Sequence, residues 1–205
     1  MITFILVILA LGLLSWLLFG RKKGKPEVQQ QSQPLEDFSS SFGPAVKEFT
    51  ITTPSNYNQG TYLDEFKGRA EGLPTTYYYN ENLTSKNFPN PTYRLEPGKK
   101  YKVRIFPILK RVTSEDCLAF LCKQGAKLVG AQGLVVGYDQ KKEEFPKGKY
   151  IVFFDEKKNL PLLDGDHRVP RVDACSDGDF GFNLGYFEDD CSEGHCLFCL
   201  SDSEK

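Results

Sequence analysis

The chain has 205 residues, 40% of them hydrophobic and 26% charged, and a formal net charge of -1. That length accommodates one ordinary domain with appendages, and the near-neutral total argues against a dedicated nucleic-acid binder, so no nucleic-acid partner is expected. The charge is nevertheless segregated: Arg94 to Lys149 holds thirteen Lys/Arg against six Asp/Glu, whereas Asp173 to Glu204 holds nine acidic residues and no Lys or Arg. This predicts a basic and an acidic face on one domain, or alternatively a docking surface for a charged partner.

Residues 2–19, ITFILVILALGLLSWLLF, are apolar except for Thr3, Gly12 and Ser15. As a helix they would extend about 27 Å, close to the roughly 30 Å of a bilayer's hydrocarbon core. Residues 1–20 are therefore predicted to form a transmembrane anchor, with the lipid bilayer as a partner and Trp16 near the interface. The rival is a cleaved signal peptide, but such peptides carry basic residues before the apolar run, and no A-x-A site follows here. The basic residues come after it, as the membrane-proximal cluster Arg21, Lys22, Lys23 and Lys25. That asymmetry predicts a single-pass protein with its N-terminus outside and its C-terminal domain in the cytoplasm, and it suits contact with anionic headgroups.

Residues 21–44 read as a linker, basic at first and then rich in Gln, Ser and Pro, with too little apolar surface to fold. Residues 45–98 are expected to be mostly extended and to pack on the main domain. Within them KEFTITTP, Lys47 to Pro54, alternates like a strand. The Asn82 sequon carries no meaning on the predicted cytoplasmic side.

Residues 99–201 are predicted to form the globular domain. YKVRIFPIL alternates as a half-buried strand from Tyr101. Thr113 or Ser114 caps a short helix that has Glu115 and Asp116 in its first turn and ends near Gly125. KLVGAQGLVVGYD, with glycines at 130, 133 and 137, reads as a broken strand or hairpin. KYIVFFDE is an apolar strand, Asp177-Gly178 joins a hairpin, and CLFCLS closes the sheet. The order β-α-β-β-β-β-β predicts an α+β domain with a small, mostly antiparallel sheet and one short helix.

The runs KLVGAQGLVVGYDQKKEEFPKGKYIVFFDEK, DHRVPRVDACSDGDFGFNLGYFEDD and CLFCL carry a resemblance. Residues 95–201 resemble a C-terminal module of uncharacterised proteins from reduced-genome bacterial lineages. The resemblance implies a bacterial origin and a modular domain, and it transfers no catalytic residue.

The candidates for chemistry are few. A cytoplasmic, reducing setting disfavours disulfides among the six cysteines. Cys117 and Cys122 sit about 140° apart on the short helix, too far for joint chelation, and are expected in the core. Cys191, His195, Cys196 and Cys199 have zinc-ligand chemistry. However, Leu197 and Phe198 make the intervening segment read as strand, in which Cys196 and Cys199 diverge, so a strand with structural thiols is preferred over a zinc or redox site. Gly130-Ala131-Gln132-Gly133 matches a KH-type G-x-x-G, but strand-like flanks favour a turn. Asp177-Gly178-Asp179 faintly matches a calcium loop but lacks an oxygen ligand at Leu184. His167 with Cys175 makes an imaginable nucleophile pair, and Asp155 with Glu156 read as solvated strand-end charges. No catalytic residue, metal or cofactor is assigned. The expected role is a single-pass membrane-anchored, non-enzymatic module that binds another protein or the cell envelope machinery. The alternatives are a thiol-dependent enzyme using His167 and a cysteine, and a structural accessory protein.

Overall fold

The computed structural model describes residues 40–203. Eight strands form one mixed sheet: β1 (Lys47–Thr52), β2 (Thr76–Tyr79), β3 (Lys100–Pro107), β4 (Lys149–Val152), β5 (Leu162–Leu163), β6 (Asp166–Ala174), β7 (Phe180–Tyr186) and β8 (His195–Asp202). Their order is β1-β3-β8-β4-β6-β7-β2, with β5 added to β6. β4 lies parallel to β8 and β2 parallel to β7, and the other pairs are antiparallel. Three helices accompany the sheet: α1 (Tyr62–Ala70), α2 (Ser114–Lys123) and α3 (Gly130–Lys141).

Local chemistry sets most element ends. Thr113 caps α2 with a reciprocal capping box: its hydroxyl accepts from the Asp116 amide, and the Asp116 carboxylate accepts from the Thr113 amide, both at 3.1 Å. This satisfies two otherwise orphaned donors. Gly125, at φ 70°, ends the same helix in the left-handed region open to glycine. The expected hairpin forms around Asp177-Gly178, where Gly178 takes φ 104°.

α3 and α1 cover one face of the sheet. Phe66 of α1 and Tyr138 of α3 meet Phe182 of β7 edge-on, at 5.1 and 4.8 Å between ring centres. Phe198 of β8 lies over Gly137, and a Cβ there would stand 3.1 Å from the ring. α2 covers part of the opposite face, over β3 and β8, where Phe120 packs edge-on against Phe106 at 5.1 Å. The part of that face formed by β4, β6 and β7 has no helix over it among the described residues.

Several expectations are corrected. Among the described residues no helix is long and apolar enough to cross a membrane. The run 2–19, the cluster Arg21, Lys22, Lys23 and Lys25, and most of the linker lie outside the described residues. The expected anchor with a small, mostly antiparallel sheet and one short helix gives way to a mixed eight-stranded sheet with three helices, and nothing in the described structure supports a membrane or single-pass character. KLVGAQGLVVGYD is largely helix α3. A helix buried from Gly130 to Tyr138 shows no polar period, so its pattern resembles a buried strand. Its glycines at 133 and 137 are four residues apart, one helical turn, and open a face to the Phe198 ring. α1 arises in the stretch expected to be extended, and β1 and β2 are the two edges of the main sheet.

Candidate functional site

The open part of the sheet is built by side-chain alternation in paired strands. In β6, Val169, Arg171 and Asp173 share a face, and their partners on β7 are Gly185, Asn183 and Gly181. β4 contributes Tyr150 and Val152 opposite Asp173 and Arg171, and His195 of β8 lies beside Tyr150. Glycine inside a strand marks a close approach, and both glycines here serve one. The Tyr77 ring crosses Gly181 so closely that a Cβ would stand 2.5 Å from its hydroxyl, while the Arg171 side chain runs past Gly185.

Beside this surface lies a hollow of about 430 Å³. Its floor includes Val152, Val169 and Arg171, and its wall is formed by Ser114 at the start of α2 and by the segment Asp189 to Cys191, with His195 at one side. That segment is fixed to α2's leading loop: Val112 and Cys191 exchange backbone hydrogen bonds at 2.9 and 2.8 Å, and Arg111 Nε donates to Asp190 Oδ2 at 2.6 Å.

The polar groups are mutually engaged. Arg171 Nε stands 3.0 Å from Asp173 Oδ1, an ion pair not aligned as a hydrogen bond. The Arg171 guanidinium lies 4.7 Å from the Tyr150 ring centre, and that of Arg168 lies 3.8 Å from the Tyr186 ring centre, in cation–π geometry. Tyr77 Oη donates to Asp173 Oδ2 at 3.4 Å. Burial pushes the Asp173 carboxyl up, against the opposing pull of Arg171, Asn183 and Tyr77. Burial likewise lowers His195, whose Nδ1 accepts from the Ser192 amide at 3.2 Å.

Tyr77 and Tyr150 remain 55% and 40% exposed on this surface, whereas Tyr186, at the end of β7, has the parity of Phe182. At the wall of the hollow, Asp189 makes no salt bridge among the described residues. It comes from the acidic C-terminal stretch of the sequence.

The residues singled out from sequence disperse. Cys191, His195, Cys196 and Cys199 do not converge: Cys191 borders the hollow, His195 turns to Ser192, and Cys199 Sγ faces Arg104 Nη2 at 3.8 Å. Cys196 is buried on the α3 side of β8. No group of three or more His, Cys, Asp or Glu side chains that could hold a metal ion occurs among the described residues. His167 and Cys175 sit at opposite ends of β6, roughly 26 Å of extended chain apart. His167 Nδ1 instead meets Glu188 Oε1 at 2.9 Å, and the structure brings His195 and Cys191, not that pair, to one cavity. Cys117 is buried as expected, but Cys122 is exposed, because the buried arc of α2 runs through Cys117, Phe120 and Leu121.

Asp155 is 3% exposed, not a solvated end charge. It accepts from the Thr92 amide at 3.0 Å, the Thr92 hydroxyl and the Glu156 amide, anchoring the Thr92 segment. Gly130 to Gly133 open helix α3, and Asp177 to Asp179 lie in the hairpin turn. Tyr77, Tyr150, Arg171, Asp173 and Asn183 belong to no sequence motif and emerge only from the structure. The signal in the sequence was the shared parity of Arg171 and Asp173 with Gly181, Asn183 and Gly185. No family model, curated protein or solved structure matches this chain.

Proposed function

We propose that the domain is a binding module for a protein partner, and that the open part of the sheet receives an extended, cationic segment of that partner. The observation that carries this reading is the pair of exposed tyrosines, Tyr77 and Tyr150, on the same face of the sheet as a hollow of about 430 Å³. Tyrosine and arginine are the residues that dominate binding energy in protein interfaces. Here the Arg171 guanidinium is spread over the Tyr150 ring and Tyr77 is hydrogen-bonded to Asp173, which holds both rings in place before any partner arrives. Such pre-organisation lowers the entropy lost on binding.

The charge of the partner follows from the rim. Arg171 is neutralised by Asp173 and Arg111 is paired with Asp190, whereas the Asp189 carboxylate at the wall of the hollow makes no ion pair among the described residues. A lysine or arginine entering the hollow meets it, and its apolar neighbours meet the tyrosine rings. Binding is favoured over catalysis because Arg171 faces Asp173 and His195 is held by Ser192, contacts that fix the shape of the surface.

Selection from a library of short random peptides on the immobilised full chain tests this. Enriched peptides are expected to carry Lys or Arg between apolar residues. Combining Tyr77→Ala with Tyr150→Ala is expected to weaken the selected peptide about 30-fold, the effect of losing an anchor worth about 2 kcal/mol. Enrichment of acidic peptides, or unchanged binding by the double variant, refutes the reading.

A further inference from the structure

The two edges of the sheet, β1 and β2, differ in what they offer another strand. β2 is short and its pairing with β7 slips between Thr76 and Tyr78, so it presents no regular row of backbone groups. β1 is paired regularly with β3 over Lys47–Thr52, and alternation along the ladder decides which of its groups face outward. Thr53 donates inward to the Lys99 carbonyl at 2.9 Å, which sets the odd-numbered residues toward β3 and the even-numbered ones away from it. Thr52 shows this directly. Its amide donates to Gln140 Oε1 at 2.8 Å and its carbonyl accepts from Gln140 Nε2, so a side-chain amide from α3 stands where a further strand would lie. At the other end the Val46 amide is drawn inward to the Ile105 carbonyl at 2.9 Å. Between these two stops, none of the described residues bonds to the outward amides and carbonyls of Glu48 and Thr50.

We propose that the β1 edge is a self-association site, at which β1 of a second copy of this chain pairs with it antiparallel about Phe49. The closed ends leave one register. Glu48 of each copy lies opposite Thr50 of the other, and each such pair exchanges two backbone hydrogen bonds. Phe49 faces Phe49 of the second copy at the non-hydrogen-bonded position between them, where Cα atoms approach to about 4.5 Å and an aromatic pair stabilises the ladder.

Charge fits a second copy in this register. Lysine on an edge strand ordinarily discourages pairing, but Lys47 Nζ is turned to Glu144 at 3.1 Å, and Glu48 is paired with Lys102 Nζ at 2.6 Å. No like charges come opposite one another, because Lys47 meets Ile51 and Glu48 meets Thr50. The two-fold axis relating the copies runs perpendicular to the sheet, so like faces continue on the same side. The inference does not depend on the peptide-binding reading, whose surface lies on β4, β6 and β7, whereas this one uses only β1.

The experiment follows the full chain by sedimentation and by amide hydrogen exchange across a dilution series. A dimer is expected, in which the Glu48 and Thr50 amides exchange at least about tenfold more slowly than in the dilute monomer. Thr50→Pro removes one outward donor from each copy at a position where an edge strand tolerates proline. It is expected to raise the dissociation constant about 30-fold through the two hydrogen bonds lost, with the circular dichroism spectrum unchanged. On oxidation, Phe49→Cys is expected to give a peptide cross-linked to its own copy at least about tenfold faster than Thr50→Cys, whose two sites lie more than about 7 Å apart in this register. A wild-type chain that stays monomeric at high micromolar concentration overturns the proposal, as does a dimer in which Glu48 and Thr50 gain no protection, and neither result needs a variant to fold. A dimer left intact by a folded Thr50→Pro overturns it too. So does protection of Glu48 and Thr50 by an added cationic peptide on a monomeric chain, which would give the edge to a foreign strand.

Discussion

Phe182 and Asn183 are neighbours on β7 and point to opposite faces of the same sheet. Phe182 is fully buried, with rings of Phe66, Tyr79 and Tyr138 around it. Asn183 is half-buried among Asp173, Arg171 and the hollow. The covered face is large, aromatic and dry, and holds the fold together. The open face alternates glycine, asparagine, arginine and aspartate, and its geometry holds polar groups and tyrosines in place. The comparison separates stability from function along a single strand: the same backbone supplies both, and side-chain parity decides which.

The largest expected effect breaks the covered face. Phe182→Ala is expected to cost about 3–5 kcal/mol, because it removes a fully buried ring and leaves a cavity among aromatic neighbours that cannot collapse fully. Urea denaturation followed by circular dichroism checks it, and a loss under about 1 kcal/mol would mean the aromatic cluster does not hold the sheet. Gly137→Leu attacks the same face from the helix side. The new side chain meets the Phe198 ring, already within 3.1 Å of a bare Cβ, and the expected overpacking cost is about 1–3 kcal/mol by the same assay.

On the open face, Asn183→Ala is expected to cost only about 1 kcal/mol, the worth of the hydrogen bond given up to Asp173. The ratio between the Phe182 and Asn183 losses sharpens the comparison more than either value alone. The smallest effect is pH-dependent. The folded state resists protonation of His195, lowered by burial from its ordinary 6.5. The unfolded chain therefore binds the proton first, and wild-type stability is expected to fall as pH drops below about 6.5 toward the lower folded value. His195→Gln is expected to flatten that part of the stability profile, measured by thermal melts between pH 7.5 and 5, and an unchanged slope would show that His195 is not the buried group responsible.

Much of the strand pattern was legible in the sequence. The alternation of Tyr101, Val103 and Ile105, the Asp177-Gly178 hairpin and the Thr113 cap are local signals set by local chemistry, and each reappears in the structure. α3 was not legible as a helix. Its residues are buried on every side, so it has no polar stripe, and its glycines imitate turn residues when they in fact admit the Phe198 ring. The candidate site was legible only in hindsight. Arg171, Asn183, Tyr77 and Tyr150 come from four strands, and only the registers β6–β7, β4–β6 and β2–β7 bring them together. Cysteine and histidine drew attention to Cys196 and Cys199, which are packed in β8.

The claim that the open part of the sheet is the binding surface is tested most directly by amide chemical-shift mapping of the isotopically labelled full chain during titration with a selected cationic peptide. Shifts are expected to concentrate on β4, β6 and β7 around Tyr150, Arg171 and Asn183, and on Asp189 to His195, with α1 and α3 unmoved. Shifts centred on α1, α3 or the β1 edge, with β6 and β7 silent, would contradict it.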